Sequence, residues 1–147
     1  MPKILRSFKI FVPMVLIAVF VLTACSSGTP APKTPVDVTI TLDDFKITSS
    51  LTDFKVGTPY HFTVTNKGAL PHEIYIMAPP TGTMTPDQIN SLKTEALVGI
   101  SQDDLSAGAT KTMDYTFTKA YPAGTLEFAC HIPGHYDAGM HQPITVQ

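Results

Sequence analysis

The strongest constraint on the fold is the pattern of side chains between residues 36 and 42. Apolar residues, most of them β-branched, take every second position, and polar residues take the others: Val-Asp-Val-Thr-Ile-Thr-Leu. Successive side chains of a β-strand point to opposite faces, so a period of two predicts a strand with one buried face and one exposed face. The folded part of the chain is therefore expected to open with β-structure.

Further short runs of this kind follow, at residues 60–65, 73–77, 111–118, 125–130 and 144–146. Turn-forming Gly, Pro, Asn and Asp residues separate them. One segment differs, because Thr85 can cap a helix with Pro86 in its first turn, and Ile89 and Leu92 then lie near one face. The sequence predicts an all-β sandwich with one short helix around residues 85–97.

The first residues predict export. Three basic residues precede an apolar run from Ile10 to Leu22, and Thr23 and Ala24 lead to Cys25. Leu22-Thr23-Ala24-Cys25 resembles the bacterial lipobox, in which the signal is cut before the cysteine and that cysteine carries the lipid. We therefore expect a lipoprotein signal peptide at residues 1–24, a lipidated Cys25 with a Pro-rich tether at residues 25–35, and one domain at residues 36–147.

The net charge and the two cysteines limit the classes of function that the chain can have. Without residues 1–24 the chain keeps seven basic residues against twelve acidic ones, a formal charge of −5, which disfavours binding to nucleic acid. If lipid occupies Cys25, then Cys130 is a lone thiol in an oxidising compartment and has no disulfide partner. A lone cysteine there calls for another explanation.

The segment that follows supplies one. Cys130, His135 and Met140 are spaced five residues apart, so one short loop can present a thiolate, an imidazole and a thioether. Copper that cycles between Cu(I) and Cu(II) is well served by one thiolate, two imidazoles and a weak axial thioether. His72, at the start of a predicted strand and just after the turn-like Asn66-Lys67-Gly68, offers the second imidazole.

With these motifs, residues 36–147 resemble the cupredoxins, the superfamily of plastocyanin and azurin. The Cys-x4-His-x4-Met spacing is similar to that of auracyanin and rusticyanin. The resemblance implies a Greek-key sandwich that holds one copper ion through His72, Cys130 and His135, with Met140 as the long axial ligand. In cupredoxins the position of Glu73 often carries a polar side chain that ties the ligand loops together; Glu73 either does this or faces solvent.

Three other interpretations are weaker. A Cys/His nucleophile pair would leave Met140 without a role and lacks an obvious orienting partner. Structural zinc would require four strong ligands, and a thioether is a poor one. A multicopper enzyme would require further histidine motifs and a second domain or subunit.

The sequence thus predicts a monomeric, extracytoplasmic, membrane-anchored carrier that exchanges single electrons with redox partner proteins and is not itself an enzyme. Copper sequestration or delivery is the alternative, because the same ligands serve both roles. We expect His131, His141 and His61 at the surface, with His131 pointing away from the thiolate face. As a hypothesis, His131 marks an electron exit toward a partner.

Overall fold

The computed structural model describes residues 33–147, which form two β-sheets and one helix. The predicted signal peptide and Cys25 lie outside the described residues. The strands and the helix are β1 (Val36–Asp43), β2 (Lys46–Ser49), β3 (Asp53–Phe54), β4 (Pro59–Asn66), β5 (Ile74–Met77), α1 (Pro86–Thr94), β6 (Val98–Ile100), β7 (Thr110–Thr116), β8 (Tyr121–Ala129) and β9 (His141–Val146).

Neighbours in the sheets are mostly distant in sequence. One sheet has the order β2-β1-β4-β7 and the other has the order β3-β9-β8-β5-β6. β1 pairs with β4 and β3 pairs with β9 in parallel, whereas the remaining pairs are antiparallel. The all-β sandwich expected from the sequence is confirmed.

The alternation along β1 has the predicted consequence. Val38, Ile40 and Leu42 are buried, while Asp37 and Thr39 on the opposite face are exposed. Between the sheets these side chains join a cluster of aromatic rings, whose centroids lie 4.9 to 6.1 Å from that of Phe54: Tyr60, Phe62, Phe117 and Phe128. Burying each large apolar side chain contributes about 1.5 to 3 kcal/mol, so this core supplies much of the stability of the sandwich.

Helix α1 begins as the sequence predicts and ends earlier than expected. The Thr85 hydroxyl accepts a hydrogen bond from Gln88 N, and the Gln88 side chain accepts one from Thr85 N. This reciprocal cap satisfies backbone groups that the first turn leaves free. The helix ends at Thr94 because the following residues join the sheet, where Leu97 N donates to Ile76 O.

The register of three strands determines where the proposed ligands meet. Ala129 at the end of β8 lies opposite Tyr75 near the start of β5 and opposite His141 at the start of β9. The residues just before β5, just after β8 and just before β9 therefore share one end of the five-stranded sheet.

Within residues 33–147, none of the helical structure is long and apolar enough to span a membrane.

Candidate metal centre

The loop from Cys130 to Met140 is closed by main-chain hydrogen bonds. Cys130 N donates to Met140 O at 3.1 Å, which continues the pairing of β8 with β9. Inside the loop, Met140 N donates to His135 O at 3.0 Å. Gly134 and Gly139 adopt φ angles of 83° and 100°, a region that glycine enters without the penalty of a Cβ atom. The loop thereby brings His135 and Met140 back toward Cys130.

A buried asparagine positions His72. The Asn66 Nδ2 atom donates to Leu70 O and to Leu105 O, both at 2.8 Å, and Asn66 Oδ1 accepts from Gly68 N at 2.9 Å. His72 N in turn donates to Leu105 O at 3.1 Å. The turn that the sequence indicated at residues 66–68 therefore fixes the main chain that carries His72.

Three predicted ligands meet at this end of the sandwich. The Nδ1 atoms of His72 and His135 lie 3.2 Å apart, and Cys130 Sγ lies 3.5 Å from His135 Nδ1. The three donor atoms all lie within 4.8 Å of one another. His72 and Cys130 are completely buried, and His135 is 7% exposed. His72, which is 58 residues from Cys130 in the sequence, thus lies beside Cys130 and His135 in one buried cluster.

The donor set fits one copper ion. Donor atoms bonded to one ion at about 2.0 to 2.3 Å lie at most about 4.6 Å apart, and the separations of 3.2 and 3.5 Å at His135 are within this limit. Two imidazoles with one thiolate form the trigonal set typical of blue copper. Both histidines direct the same atom, Nδ1, toward Cys130 or toward each other, as ligands to a common ion would.

Burial disfavours the charged forms of two of the ligand side chains. Burial raises the pKa of the Cys130 thiol, whereas the backbone N–H groups of Glu73 and Ile132 act in the opposite direction. Burial, followed by the nearby His135, lowers the pKa of His72, and Asp44 opposes this change. The buried imidazole is therefore neutral, which is the form that binds metals, and a bound cation would replace the thiol proton.

The fourth predicted ligand, Met140, lies at the correct end of the loop. Its side chain is completely buried, and its main chain is hydrogen-bonded to both Cys130 and His135. Axial ligation by its sulfur stays a prediction. Lipidation of Cys25 also stays a prediction, because that residue lies outside the described part of the chain.

Glu73 ties the ligand segments together, which settles the role that the sequence left open. Its carboxylate is 3% exposed and accepts a hydrogen bond from His131 N at 3.1 Å. The ammonium of Lys93, in the last turn of α1, lies 2.7 Å from the same oxygen. The Glu73 carboxylate therefore connects the segment that carries His72 with His131, next to Cys130, and with helix α1.

The expectation of a surface position for His131 is wrong. The residue is 6% exposed, and its ring stacks on that of Tyr136 with centroids 4.6 Å apart. Burial, with smaller effects of Lys93 and His141, lowers the pKa of His131 to about 4. Local strand geometry did not reveal this position, because Tyr136 in the ligand loop folds back over the ring.

The other two histidines are half-exposed. The His141 ring also stacks on the Tyr136 ring, with centroids 4.5 Å apart. The Tyr136 hydroxyl donates to the buried carboxylate of Glu127 at 2.8 Å. His61 Nδ1 lies 2.6 Å from Asp114 Oδ1 on a neighbouring strand. The electron-exit hypothesis for His131 stays a prediction.

The sandwich with a buried His-Cys-His cluster at one end defines a cupredoxin. Residues 36–147 match the family described as copper binding proteins, plastocyanin/azurin family. The chain belongs to this family.

Two related sequences are copper proteins by name. The chain is 30% identical over 139 residues to the copper-resistant cuproprotein CopI of Pseudomonas aeruginosa, an alignment that covers 75% of each protein. It is 31% identical over 96 residues to CopI of Rubrivivax gelatinosus, which covers 62% of this chain and 53% of that protein.

Solved structures share the fold. Auracyanin from Roseiflexus castenholzii superposes with a TM-score of 0.53 at 19% identity, covering 79% of this chain and 99% of the other. Rusticyanin from Thiobacillus ferrooxidans superposes with a TM-score of 0.52 at 19% identity, covering 77% of each chain.

Proposed function

We propose that the protein transfers single electrons outside the cytoplasm through one copper ion held by His72, Cys130, His135 and Met140. The observation that carries the proposal is the buried group of three donor atoms within 4.8 Å of one another. When bound, copper supplies a reversible Cu(II)/Cu(I) couple. Ligands that are already assembled limit rearrangement when the charge changes, which favours fast transfer.

Cys130 and His72 have different roles in this proposal. Cys130 binds as the thiolate and gives up its proton when the ion enters. His72 is completely buried and is held by the turn at residues 66–68. No bond in a substrate forms or breaks, so the protein acts as a carrier and not as an enzyme.

His135 offers the contact to a redox partner. It is slightly exposed, unlike His72, and the ring of Phe45 packs edge-on against it with centroids 5.3 Å apart. Phe45 is itself 42% exposed. A partner protein that touches Phe45 would therefore be one aromatic ring away from a copper ligand. The acidic charge of the chain favours a basic partner surface, an attraction that salt weakens.

The proposal places the domain on the outer side of a membrane. The lipobox-like Leu22-Thr23-Ala24-Cys25 supports a lipid anchor, and the Pro-rich residues that follow supply an extended tether. The named relatives are copper-resistance proteins, a role that fits a location in which copper first meets the cell.

Copper handling is the second candidate function. It is favoured by the CopI relatives, whose names refer to copper resistance. In this case the same ligands would sequester or deliver copper, and the reduction potential would be of secondary importance.

One complementation experiment separates the two functions. A strain that lacks the protein receives the wild type, Cys130→Ser, or Met140→Leu, and both copper tolerance and electron flux through the cell envelope are measured. Electron transfer predicts that flux is lost with Cys130→Ser and changed with Met140→Leu, because the second variant alters the potential. If flux never depends on the protein while Met140→Leu restores full copper tolerance, copper handling is the function.

A further inference from the structure

The tight turn between β1 and β2 reaches both imidazoles of the site. Asp44 Oδ1 lies 3.5 Å from His72 Nε2, and the Phe45 ring packs against His135. Phe45 has a φ angle of 62°, and it is the one described residue other than glycine with a positive φ angle. Such a conformation is unfavourable for a bulky residue and persists where surrounding contacts enforce it. Two adjacent residues of this turn thus contact the two histidine ligands.

His72 Nε2 requires a hydrogen-bond acceptor when His72 binds copper through Nδ1. An imidazole that binds a metal through Nδ1 carries its proton on Nε2, which makes that atom a donor. His72 is completely buried, and its Nε2 has no hydrogen-bond partner of good geometry among residues 33–147. In that part of the chain, Asp44 supplies the one carboxylate oxygen within 4.0 Å of this nitrogen.

The Asp44 oxygen that faces His72 also accepts a main-chain hydrogen bond. Ala69 N donates to Asp44 Oδ1 at 3.0 Å. Gly68 lies against both groups. A Cβ atom at this position would collide with Asp44 Oδ1 and would lie 2.8 Å from His72 Nε2. Glycine at this position is what allows the carboxylate and the imidazole to approach each other.

We propose that Asp44 is a positioning residue for the copper ligand His72. Its carboxylate accepts the Nε2 proton when copper is bound at Nδ1, which fixes the tautomer and the orientation of the ring. Its negative charge also favours Cu(II) over Cu(I). The inference rests on copper binding at His72, and it holds whether the protein carries electrons or copper.

Three variants of the purified protein test this role. Asp44→Ala removes both the acceptor and the charge. Asp44→Asn keeps an oxygen acceptor and removes only the charge, and it serves if the alanine variant does not fold. Asp43→Asn is the matched control, because it removes the same charge from an exposed neighbouring residue. The measurements are Cu(II) affinity, reduction potential and the nitrogen NMR signal of the His72 Nε2–H group, recorded with Cu(I) and without copper.

The expected results differ between variants. Asp44→Ala lowers Cu(II) affinity by about 10-fold to 100-fold, raises the potential and exposes the His72 Nε2 proton to fast exchange. Asp44→Asn also raises the potential, loses less affinity and keeps the proton protected. Asp43→Asn changes little. An Nε2–H signal that is the same in Asp44→Ala and wild type, or a rise in potential that Asp43→Asn reproduces in full, overturns the inference. The NMR signal of the copper-free protein tests the contact between Asp44 and His72 without copper. A wild-type protein that binds no copper would contradict the proposed function and would leave this NMR test valid.

Discussion

The carboxylate of Glu73 and the ammonium of Lys93 form an ion pair at 2.7 Å that connects helix α1 to the ligand segments. Glu73 is 3% exposed, and the Lys93 side chain is 21% exposed. The same carboxylate accepts the hydrogen bond from the main chain of His131, next to Cys130. The helix therefore helps to hold the cysteine in place although no residue of the helix is itself buried.

Loss of the Lys93 ammonium should destabilise the copper-free protein. Lys93→Met leaves the Glu73 charge buried without its partner, so the free energy of unfolding should fall by roughly 2 to 4 kcal/mol. Urea denaturation measures this change. The control is Lys111→Met, which breaks the exposed pair with Asp104 and should cost at most about 1 kcal/mol. Equal losses in the two variants would show that Glu73 does not depend on Lys93.

Replacement of Met140 should alter the reduction potential and preserve the colour of the copper protein. Met140→Leu keeps a buried side chain of similar volume and removes the thioether. Cu(II) then loses a weak donor that Cu(I) needs less, so the potential should rise. Protein-film voltammetry measures the potential. Met113→Leu, in the core on β7, is the control and should leave it unchanged. A Met140→Leu protein with the wild-type potential would exclude axial ligation by this residue.

Acid should weaken the copper-free fold through His131. Burial lowers the pKa of His131 to about 4 from the ordinary value of 6.5, so between these values the unfolded chain binds a proton that the folded chain does not. This contribution to stability is complete above pH 6.5 and falls by up to roughly 3 kcal/mol as the pH approaches 4. His131→Phe keeps an aromatic ring beside Tyr136 and removes the titrating group. Unfolding free energies from urea titrations at pH 7 and pH 4 should therefore differ less in the variant than in the wild type, and an unchanged difference would contradict the assignment.

Cys25 should carry the lipid. Cys25→Ser should abolish incorporation of labelled fatty acid and release the protein from the membrane fraction, because the lipobox-like sequence loses its acceptor. Cys130→Ser should keep both label and membrane association. Fractionation with fatty-acid labelling measures both properties, and label retained after Cys25→Ser would rule out the predicted anchor.

The sequence predicted the strands that show either a period of two or, as in the four-residue β5, a run of apolar and aromatic residues. It did not predict β2, β3 and β6, because two to four residues that show neither pattern cannot be distinguished from chance. In β6 the middle residue is Gly99, where a Cβ atom would collide with the Tyr75 ring. The requirement for glycine at residue 99 comes from Tyr75 on the neighbouring strand, so the local sequence does not show it.

Site residues that lie close together in the sequence were easier to predict than those that are distant. Cys130, His135 and Met140 share one loop, so their spacing alone indicated a common site. His72 was proposed as the second imidazole from its position at the start of a predicted strand, and the resemblance to cupredoxins then implied the complete ligand set. Asp44 was missed because its contact with His72 depends on the packing of one turn against another, and a carboxylate in a turn is common at protein surfaces.

The most direct test of copper ligation by this cluster is a copper titration of the purified protein followed by visible absorption. The account predicts that one equivalent of Cu(II) produces an intense charge-transfer band between copper and the Cys130 thiolate, and that Cys130→Ser abolishes it. A protein that stays colourless, or a band that survives in Cys130→Ser, would contradict the assignment of the site.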